Sequence, residues 1–184
     1  MPEHSTMRAL VAYESMFGNT ERVARAVAAG LRLEGVDTTV VNVCDGHAAD
    51  LAGVDLLVVG APTHGFSLSR PATRHDAVRQ GGRADAESIG MREWLKALGD
   101  TDRPLLVATF DTRATKVRYL PASASRRSAH ALAEHGHRML AAPMGFLVHD
   151  VSGPLESREI DRAIAWARSV ATEAQNRLTG AALP

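Results

Sequence analysis

The chain has 184 residues, of which 45% are hydrophobic and 23% charged, and its 21 basic and 21 acidic residues cancel. This length and composition predict one globular domain with a substantial core. The balanced charge argues against nucleic acid as a partner, because binding phosphates requires a cationic surplus. Cys44 is the only cysteine, which excludes a disulfide framework or a cysteine-based metal site within one chain.

The ends and the hydropathy of the chain indicate where the protein acts. Residues 1–6 are polar and lack the apolar run of a secretion signal, and we expect them to form a disordered tail. No stretch approaches the roughly 18 consecutive apolar residues of a membrane span. The sequence therefore predicts a cytoplasmic protein without a membrane span, and leaves its oligomeric state open.

Short apolar runs alternate with longer segments of helical period. The runs predict strands at 7–13, 37–43, 55–60 and 104–110, and a fifth strand within 139–148. Apolar residues at helical spacing predict helices at 21–34, 89–98, 123–137 and 156–178. This alternation predicts an α/β domain over residues 7–184, in which helices cover both faces of a doubly wound, five-stranded parallel sheet.

One segment, residues 63–88, shows no clear periodicity and exceeds ordinary loop lengths. We expect it to be functional, to be ordered in part by a ligand, or to hold a short helix.

A polar loop, residues 15–20, connects the first strand to the first helix. Ligands of open α/β sheets bind beyond the carboxyl ends of the strands, where backbone N–H groups and a helix dipole attract anions. Ser15 and Thr20 flank a turn in which Gly18 permits close approach of the backbone. The loop therefore predicts a phosphate site with neutral donors. In the alternative interpretation, Thr20 merely caps the helix.

Other phosphate chemistries require residues that are absent here. A nucleoside-triphosphate loop needs Gly-Lys-Ser/Thr and a dinucleotide fingerprint needs G-x-G-x-x-G, but this loop contains neither. A phospho-receiver domain needs an aspartate at the end of strand three, where this chain has Gly60 followed by Ala-Pro-Thr. A cysteine-based phosphatase loop has no cysteine available.

The sequence Ser-Met-Phe-Gly-Asn-Thr at 15–20 resembles the phosphate loop of flavodoxins, Ser/Thr-x-Thr-Gly-Asn-Thr, with Phe17 replacing the middle threonine. Pro-Thr-His-Gly at 62–65 is similar to the family's Pro-Thr-Trp/Tyr-x-Gly loop, which lies against the flavin ring. Residues 109–112 stand where flavodoxins place their second flavin loop. The resemblance spans residues 7–178 and implies a flavodoxin-like fold that holds FMN non-covalently. The cofactor-binding residues that it implies are Ser15, Met16, Phe17, Gly18, Asn19, Thr20, Pro62, Thr63, His64, Gly65, Phe66, Thr109, Phe110, Asp111 and Thr112.

Two departures from the family pattern concern the residues that stack on the flavin. His64 and Phe66 stand where many flavodoxins have tryptophan or tyrosine. After strand four, Asp-Thr-Arg at 111–113 replaces a glycine-rich turn with an aromatic residue. Phe110 and Tyr119 are further candidates for stacking.

The two segments expected to rim the flavin are cationic. Coulomb attraction to the anionic reduced flavin predicts a flavin easier to reduce than that of acidic flavodoxins. It also predicts a partner or substrate that carries carboxylates or phosphates. In the alternative interpretation these cations form a solvated surface unrelated to function. Within 64–83 and 111–127 there are two acids, Asp76 and Asp111, and nine cations: Arg70, Arg74, Arg79, Arg83, Arg113, Lys116, Arg118, Arg126 and Arg127.

The resemblance implies an FMN-binding redox protein that mediates electron transfer to a redox partner protein. A first alternative is an FMN-dependent oxidoreductase, similar to quinone reductases or protoporphyrinogen oxidases of this fold, which acts on a small anionic or quinone-like substrate. His64 is then the candidate proton donor. A second alternative is a flavin-free binding or regulatory module. No metal site is predicted, because His130 and His137 share a helical face without a third ligand.

Overall fold

The computed structural model describes residues 6–46, 50–99 and 101–180. Of the expected tail, residues 1–5 lie outside the described residues. The described strands are β1 (Arg8–Tyr13), β2 (Asp37–Asn42), β3 (Leu56–Pro62), β4 (Leu106–Ala114), β5 (Arg138–Met139) and β6 (Met144–Val148). The α-helices are α1 (Asn19–Leu33), α2 (Pro71–Arg79), α3 (Met91–Lys96), α4 (Ala124–Glu134) and α5 (Glu159–Thr179).

The strands form one parallel sheet in the order β2-β1-β3-β4, with both β5 and β6 paired to β4. β5 lies beside the start of β4 and β6 beside its carboxyl end. The two short strands therefore share the fifth position of the sheet, which is interrupted at residues 140–143. The predicted five-position, doubly wound parallel sheet is confirmed.

Alternating side chains of the central strands feed two hydrophobic clusters, one on each face of the sheet. Val11 and Val58 pack in the cluster that includes α1 and α5. Leu10 and Leu57 pack in the other, beside α3 and α4. β3 is buried from Leu56 to Ala61, as its apolar sequence predicts for a strand that is covered on both faces.

The segment 63–88 holds a short helix, which was one of the predicted possibilities. It contains α2 and a 3-10 turn at Ala84–Glu87. The backbone N–H of Arg83 donates to the carbonyl of Met16 at 2.9 Å, so the segment returns to the loop after β1. It therefore packs beside the predicted phosphate loop.

The described part of the chain contains no helix with the length and apolar character needed to cross a bilayer. Cys44 is buried, and burial raises the pKa of its thiol to about 12. The reactive thiolate is therefore scarce at neutral pH, and this cysteine acts as a small core residue.

Candidate functional site

A cavity of about 280 Å³ opens at the carboxyl edge of the sheet, between the loops that follow β1, β3, β4 and β6. The structure thus brings together most of the residues that the sequence predicts at the site. Among its lining residues, those predicted are Ser15, Met16, Phe17, Asn19, Thr20, Pro62, Thr63, His64, Gly65, Phe66 and Thr112, and those not predicted are Arg113, Ala114, Val117, Val148 and Val151.

The loop after β1 is closed by the Ser15 hydroxyl. Its oxygen accepts hydrogen bonds from the N–H groups of Gly18 at 3.1 Å and Glu21 at 3.3 Å. Gly18 has φ 85°, a left-handed conformation that glycine adopts without steric cost. Thr20 lies inside α1, and its Oγ1 is 2.7 Å from Oγ1 of Thr112. The alternative in which Thr20 merely caps the helix is therefore wrong.

The same loop offers neutral donors to an anion. Among the described residues, the N–H groups of Phe17, Asn19 and Thr20 have no hydrogen-bond partner. They lie at the start of a 15-residue helix, whose dipole places positive partial charge there. The Ser15 and Thr20 side chains are nearly inaccessible to solvent, each residue being 2% exposed. This donor set fits a phosphate group.

Asn19 connects this loop to the loop after β6. Its Nδ2 donates to the carbonyl of Ser152 at 3.0 Å. A Cβ atom at Gly153 would come within 2.6 Å of that nitrogen, so this close contact requires glycine. The asparagine therefore holds the loop after β6 against one side of the cavity.

The loop after β3 forms a two-residue hairpin turn. The backbones of His64 and Ser67 exchange hydrogen bonds of 2.9 and 3.0 Å. Gly65 and Phe66 between them have φ of 51° and 65°, as a type I′ turn requires. A phenylalanine in this left-handed backbone conformation is strained by about 1–3 kcal/mol. Phe66 is 50% exposed and lines the cavity, so this backbone strain lies in the wall of the candidate site.

We expect Phe66→Asn to raise the free energy of unfolding of the cofactor-free protein by about 0.5–1 kcal/mol, because asparagine tolerates this backbone conformation. The same change is expected to weaken FMN binding by removing an aromatic face. Phe66→Leu is the matched control, because it removes the ring and keeps the strain. Urea unfolding and FMN titration measure the two effects; equal stability of the two variants would contradict the strain argument.

Thr63 and His64 differ in what they contact. The Thr63 hydroxyl accepts a hydrogen bond from the N–H of Ala124 at 3.0 Å, which fixes the start of α4 to the end of β3. Burial, and to a lesser degree the charge of Arg74, lowers the pKa of His64 below its usual value of 6.5. The neutral imidazole therefore predominates at neutral pH, which weakens the interpretation of His64 as a proton donor.

Phe110 is not a stacking partner for a ligand. It is completely buried, and its ring packs edge-on against Phe146 and Trp166 with centroid distances of 5.9 and 6.1 Å. The predicted strand ended at residue 110, whereas β4 continues to Ala114 because β6 pairs with it there. Phe110 therefore lies inside the sheet. Tyr119 is 83% exposed and is not part of the cavity wall.

Thr109 and Asp111 are also buried within β4 and do not line the cavity. The Asp111 carboxylate binds Nε and Nη2 of Arg113 at 2.6 and 2.5 Å. It also accepts a hydrogen bond from the N–H of Ser125 at 3.2 Å. Asp111 therefore anchors the start of α4 and neutralises Arg113, the one lysine or arginine among the cavity-lining residues.

A buried polar cluster behind the cavity was missed in the sequence, where Arg74 is counted as a rim cation. Arg74 is only 1% exposed. Its Nη1 donates to Oγ of Ser69 and to the carboxylate of Glu93, both at 3.1 Å. Its Nε donates to the carbonyl of Glu87 at 3.2 Å. This arginine therefore ties α2 to α3 and to the loop that carries Phe66.

Glu14 completes this cluster. Its side chain is fully buried, and its Oε2 accepts a hydrogen bond from the N–H of Met91 at 2.7 Å. Its Oε1 has no hydrogen-bond partner within the described ranges. Burial raises the pKa of Glu14, although Ser69, Met91 and Arg74 act in the opposite direction. A glutamate directly after a buried strand was the available sequence signal, but its partners are distant in the chain.

The predicted cationic rim is smaller than the sequence suggests, because acids pair with three of the nine cations. Arg74 pairs with Glu93, and Arg113 with Asp111. Arg83 pairs with both Asp85 and Glu21. The rim cations without a salt bridge to any described residue are Arg70, Arg79, Lys116, Arg118, Arg126 and Arg127.

A doubly wound parallel sheet with a cavity at the carboxyl ends of its strands is the arrangement typical of nucleotide-binding α/β domains. The flavodoxin family model matches residues 11–120, and the chain belongs to this family. FMN is the cofactor of this family, and electron transfer is its function.

Solved flavodoxin structures have the same fold. The flavodoxin of Streptococcus pneumoniae TIGR4 is 21% identical, with a TM-score of 0.63 over 90% of this chain and 99% of that chain. Oxidised flavodoxin 2 of Bacillus cereus is 19% identical, with a TM-score of 0.66 over 90% and 99%. A flavodoxin from the domain Archaea is 19% identical, with a TM-score of 0.64 over 92% and 99%.

Proposed function

We propose that this protein is an electron carrier that binds the FMN phosphate in the loop at residues 15–20 and passes electrons to a partner protein. The observation that carries the proposal is the set of N–H groups at Phe17, Asn19 and Thr20 without partners in the described structure, beside the buried hydroxyls of Ser15 and Thr20. Donors that are already placed and partly dehydrated bind an anion without a lysine or arginine.

The remainder of the cavity suits an apolar ring. Phe66 lies on one side, and Val117, Val148 and Val151 lie on the other. Bound FMN supplies the redox chemistry, while the protein binds, orients and shields it. His64 is the one histidine among the described residues that line the cavity, and burial lowers its pKa, which favours the neutral imidazole over the acid form. This supports a carrier over an oxidoreductase with an anionic or quinone-like substrate.

We expect Ser15→Ala and Thr20→Val each to raise the Kd for FMN about tenfold or more, because a hydrogen bond to a charged group contributes about 1.5–3 kcal/mol. Affinity for riboflavin, which has no phosphate, is expected to change less than twofold, a difference of about 0.4 kcal/mol. Titrations followed by flavin fluorescence measure both constants. Thr39→Val, at an exposed position of β2, is the control and should change neither.

Three outcomes would contradict parts of this proposal. Failure of the wild-type protein to bind FMN favours the flavin-free module. Equal losses for FMN and riboflavin in Ser15→Ala contradict the phosphate assignment. Turnover of NADH or NADPH with a quinone at about 10 s⁻¹, the middle of the enzyme range, favours the oxidoreductase over the carrier.

A further inference from the structure

The segment 115–127, between β4 and the first turn of α4, is strongly cationic. It adjoins the cavity, because Val117 lines the cavity wall. The sequence contains no aspartate or glutamate from residue 112 to residue 133. Its four cations, Lys116, Arg118, Arg126 and Arg127, are all exposed, and none forms a salt bridge with a residue that the structure describes.

Exposed apolar side chains accompany these charges. Tyr119 is 83% and Leu120 41% exposed, and the guanidinium of Arg118 lies 4.4 Å from the centre of the Tyr119 ring. Phe66 and Val151, at the mouth of the cavity, are 50% and 60% exposed. Exposed tyrosine, phenylalanine and arginine are typical of the surfaces that proteins use to bind one another.

The two arginines in the first turn of α4 do not stabilise that helix. Ser123 caps it by accepting a hydrogen bond from the N–H of Arg126, and the buried Asp111 accepts one from Ser125. The exposed charges of Arg126 and Arg127 face the positive end of the helix dipole, which is an unfavourable position for a cation. An anionic partner would offset this repulsion.

We propose that the segment 115–127 is a docking surface for an acidic redox protein whose carboxylates surround its own electron-transfer site. The inference rests on the proposed function as an electron carrier. The charges are spread over exposed side chains instead of converging in the cavity, where Arg113 is already paired with Asp111. A small anion in the cavity would also leave the apolar surfaces of Tyr119 and Leu120 exposed to solvent. Both observations favour a protein surface as the occupant.

The test compares electron transfer from the reduced FMN-loaded protein to two haem proteins by stopped-flow absorbance. The acidic probe is the soluble haem domain of cytochrome b5, and the basic probe is horse cytochrome c. The double variant Lys116→Glu/Arg118→Glu reverses two of the four positive charges of the proposed docking surface. The control is Lys96→Glu/Arg138→Glu, which changes net charge equally at exposed sites on α3 and β5.

At an ionic strength of about 0.01 M, we expect Lys116→Glu/Arg118→Glu to slow cytochrome b5 reduction about tenfold or more and to accelerate cytochrome c reduction. At about 0.15 M, where the Debye length is about 8 Å, Lys116→Glu/Arg118→Glu should still slow cytochrome b5 reduction. The control should then change either rate less than about twofold, because its charges lie outside the docking surface and are screened; Arg138, for example, pairs with the opposite end of β4. At about 1 M salt, where the Debye length is about 3 Å, the variants should converge.

Several results would overturn the docking surface. They are unchanged cytochrome b5 rates in Lys116→Glu/Arg118→Glu, an equal loss in the control, or an equal loss with ferricyanide, a small trianion. The flavin absorbance of the wild-type protein and of each variant measures the FMN content, and so distinguishes an error in the docking surface from an error in the proposed carrier function. Absence of FMN from the wild-type protein contradicts the carrier itself, whereas full FMN content with unchanged rates contradicts the docking surface alone.

Discussion

Replacing Arg74 with methionine is expected to lower the free energy of unfolding by about 3–5 kcal/mol, the usual effect of removing one partner of a buried charge network. Arg74 is buried and bonded to Ser69 and Glu93. Without it, the buried carboxylate of Glu14 loses the nearby positive charge that opposes the rise of its pKa. Urea unfolding of the cofactor-free protein measures the loss.

The effect of Arg74→Met is expected to grow with pH. Burial already raises the pKa of Glu14 in the folded protein, so folding favours the protonated carboxyl, and this contribution is lost as pH rises through the folded-state pKa. Removing Arg74 raises that pKa further, and the loss of stability is therefore larger at pH 8 than at pH 5. Equal losses at both pH values would contradict the coupling of Arg74 to Glu14.

Arg79→Met is the matched control for Arg74→Met. Arg79 lies in the same helix, α2, but is exposed, and surface substitutions of this kind change stability by no more than about 0.5 kcal/mol. The Arg74 variant is also expected to bind FMN more weakly, because Arg74 holds the loop of Phe66 through Ser69. A similar loss of stability in both variants would show that helix α2, and not the buried cluster, determines the effect.

The sheet and the first loop were predictable because their signals are local. The apolar run of β3 indicates burial on both faces, and the spacing in α1 indicates one buried helix face. The loop at 15–20 could be assigned because the chain direction alone places the end of β1 at the start of α1. The predicted α3 was two residues too long at each end, since Gly90 adopts an extended conformation before Met91.

The cavity wall formed by Val117, Val148 and Val151 could not be predicted, because it depends on the pairing of β4 with β6, which are far apart in the sequence. β6 pairs with residues 110–114, and this extends β4 beyond the predicted end and buries Phe110. Charges present the same difficulty. Arg83 pairs with Glu21, which is 62 positions away in the chain, and Arg74 pairs with Glu93, which is 19 positions away. Counting charges within one segment therefore overestimated the cationic rim beside α2, whereas the segment 115–127 has no such partners.

Gly60→Ala is expected to lower the free energy of unfolding by about 3 kcal/mol, at the upper end of overpacking effects. A Cβ atom at Gly60 would lie 2.0 Å from Cζ of Phe110, and 2.4 and 2.5 Å from its Cε atoms. The ring has no free space, because it is completely buried between Phe146 and Trp166. Denaturant unfolding measures the loss.

Two further variants separate this clash from other effects of Gly60→Ala. Gly60→Ala/Phe110→Leu removes the ring and is expected to recover part of the loss relative to Phe110→Leu alone, since contacting residues are not additive. Gly99→Ala, where an added Cβ meets nothing within 4 Å, should change stability by no more than about 0.5 kcal/mol. Additive effects of Gly60→Ala and Phe110→Leu would show that the ring is not the obstacle. The close packing of Phe110 on β3 would then not be what keeps this aromatic residue away from the cavity.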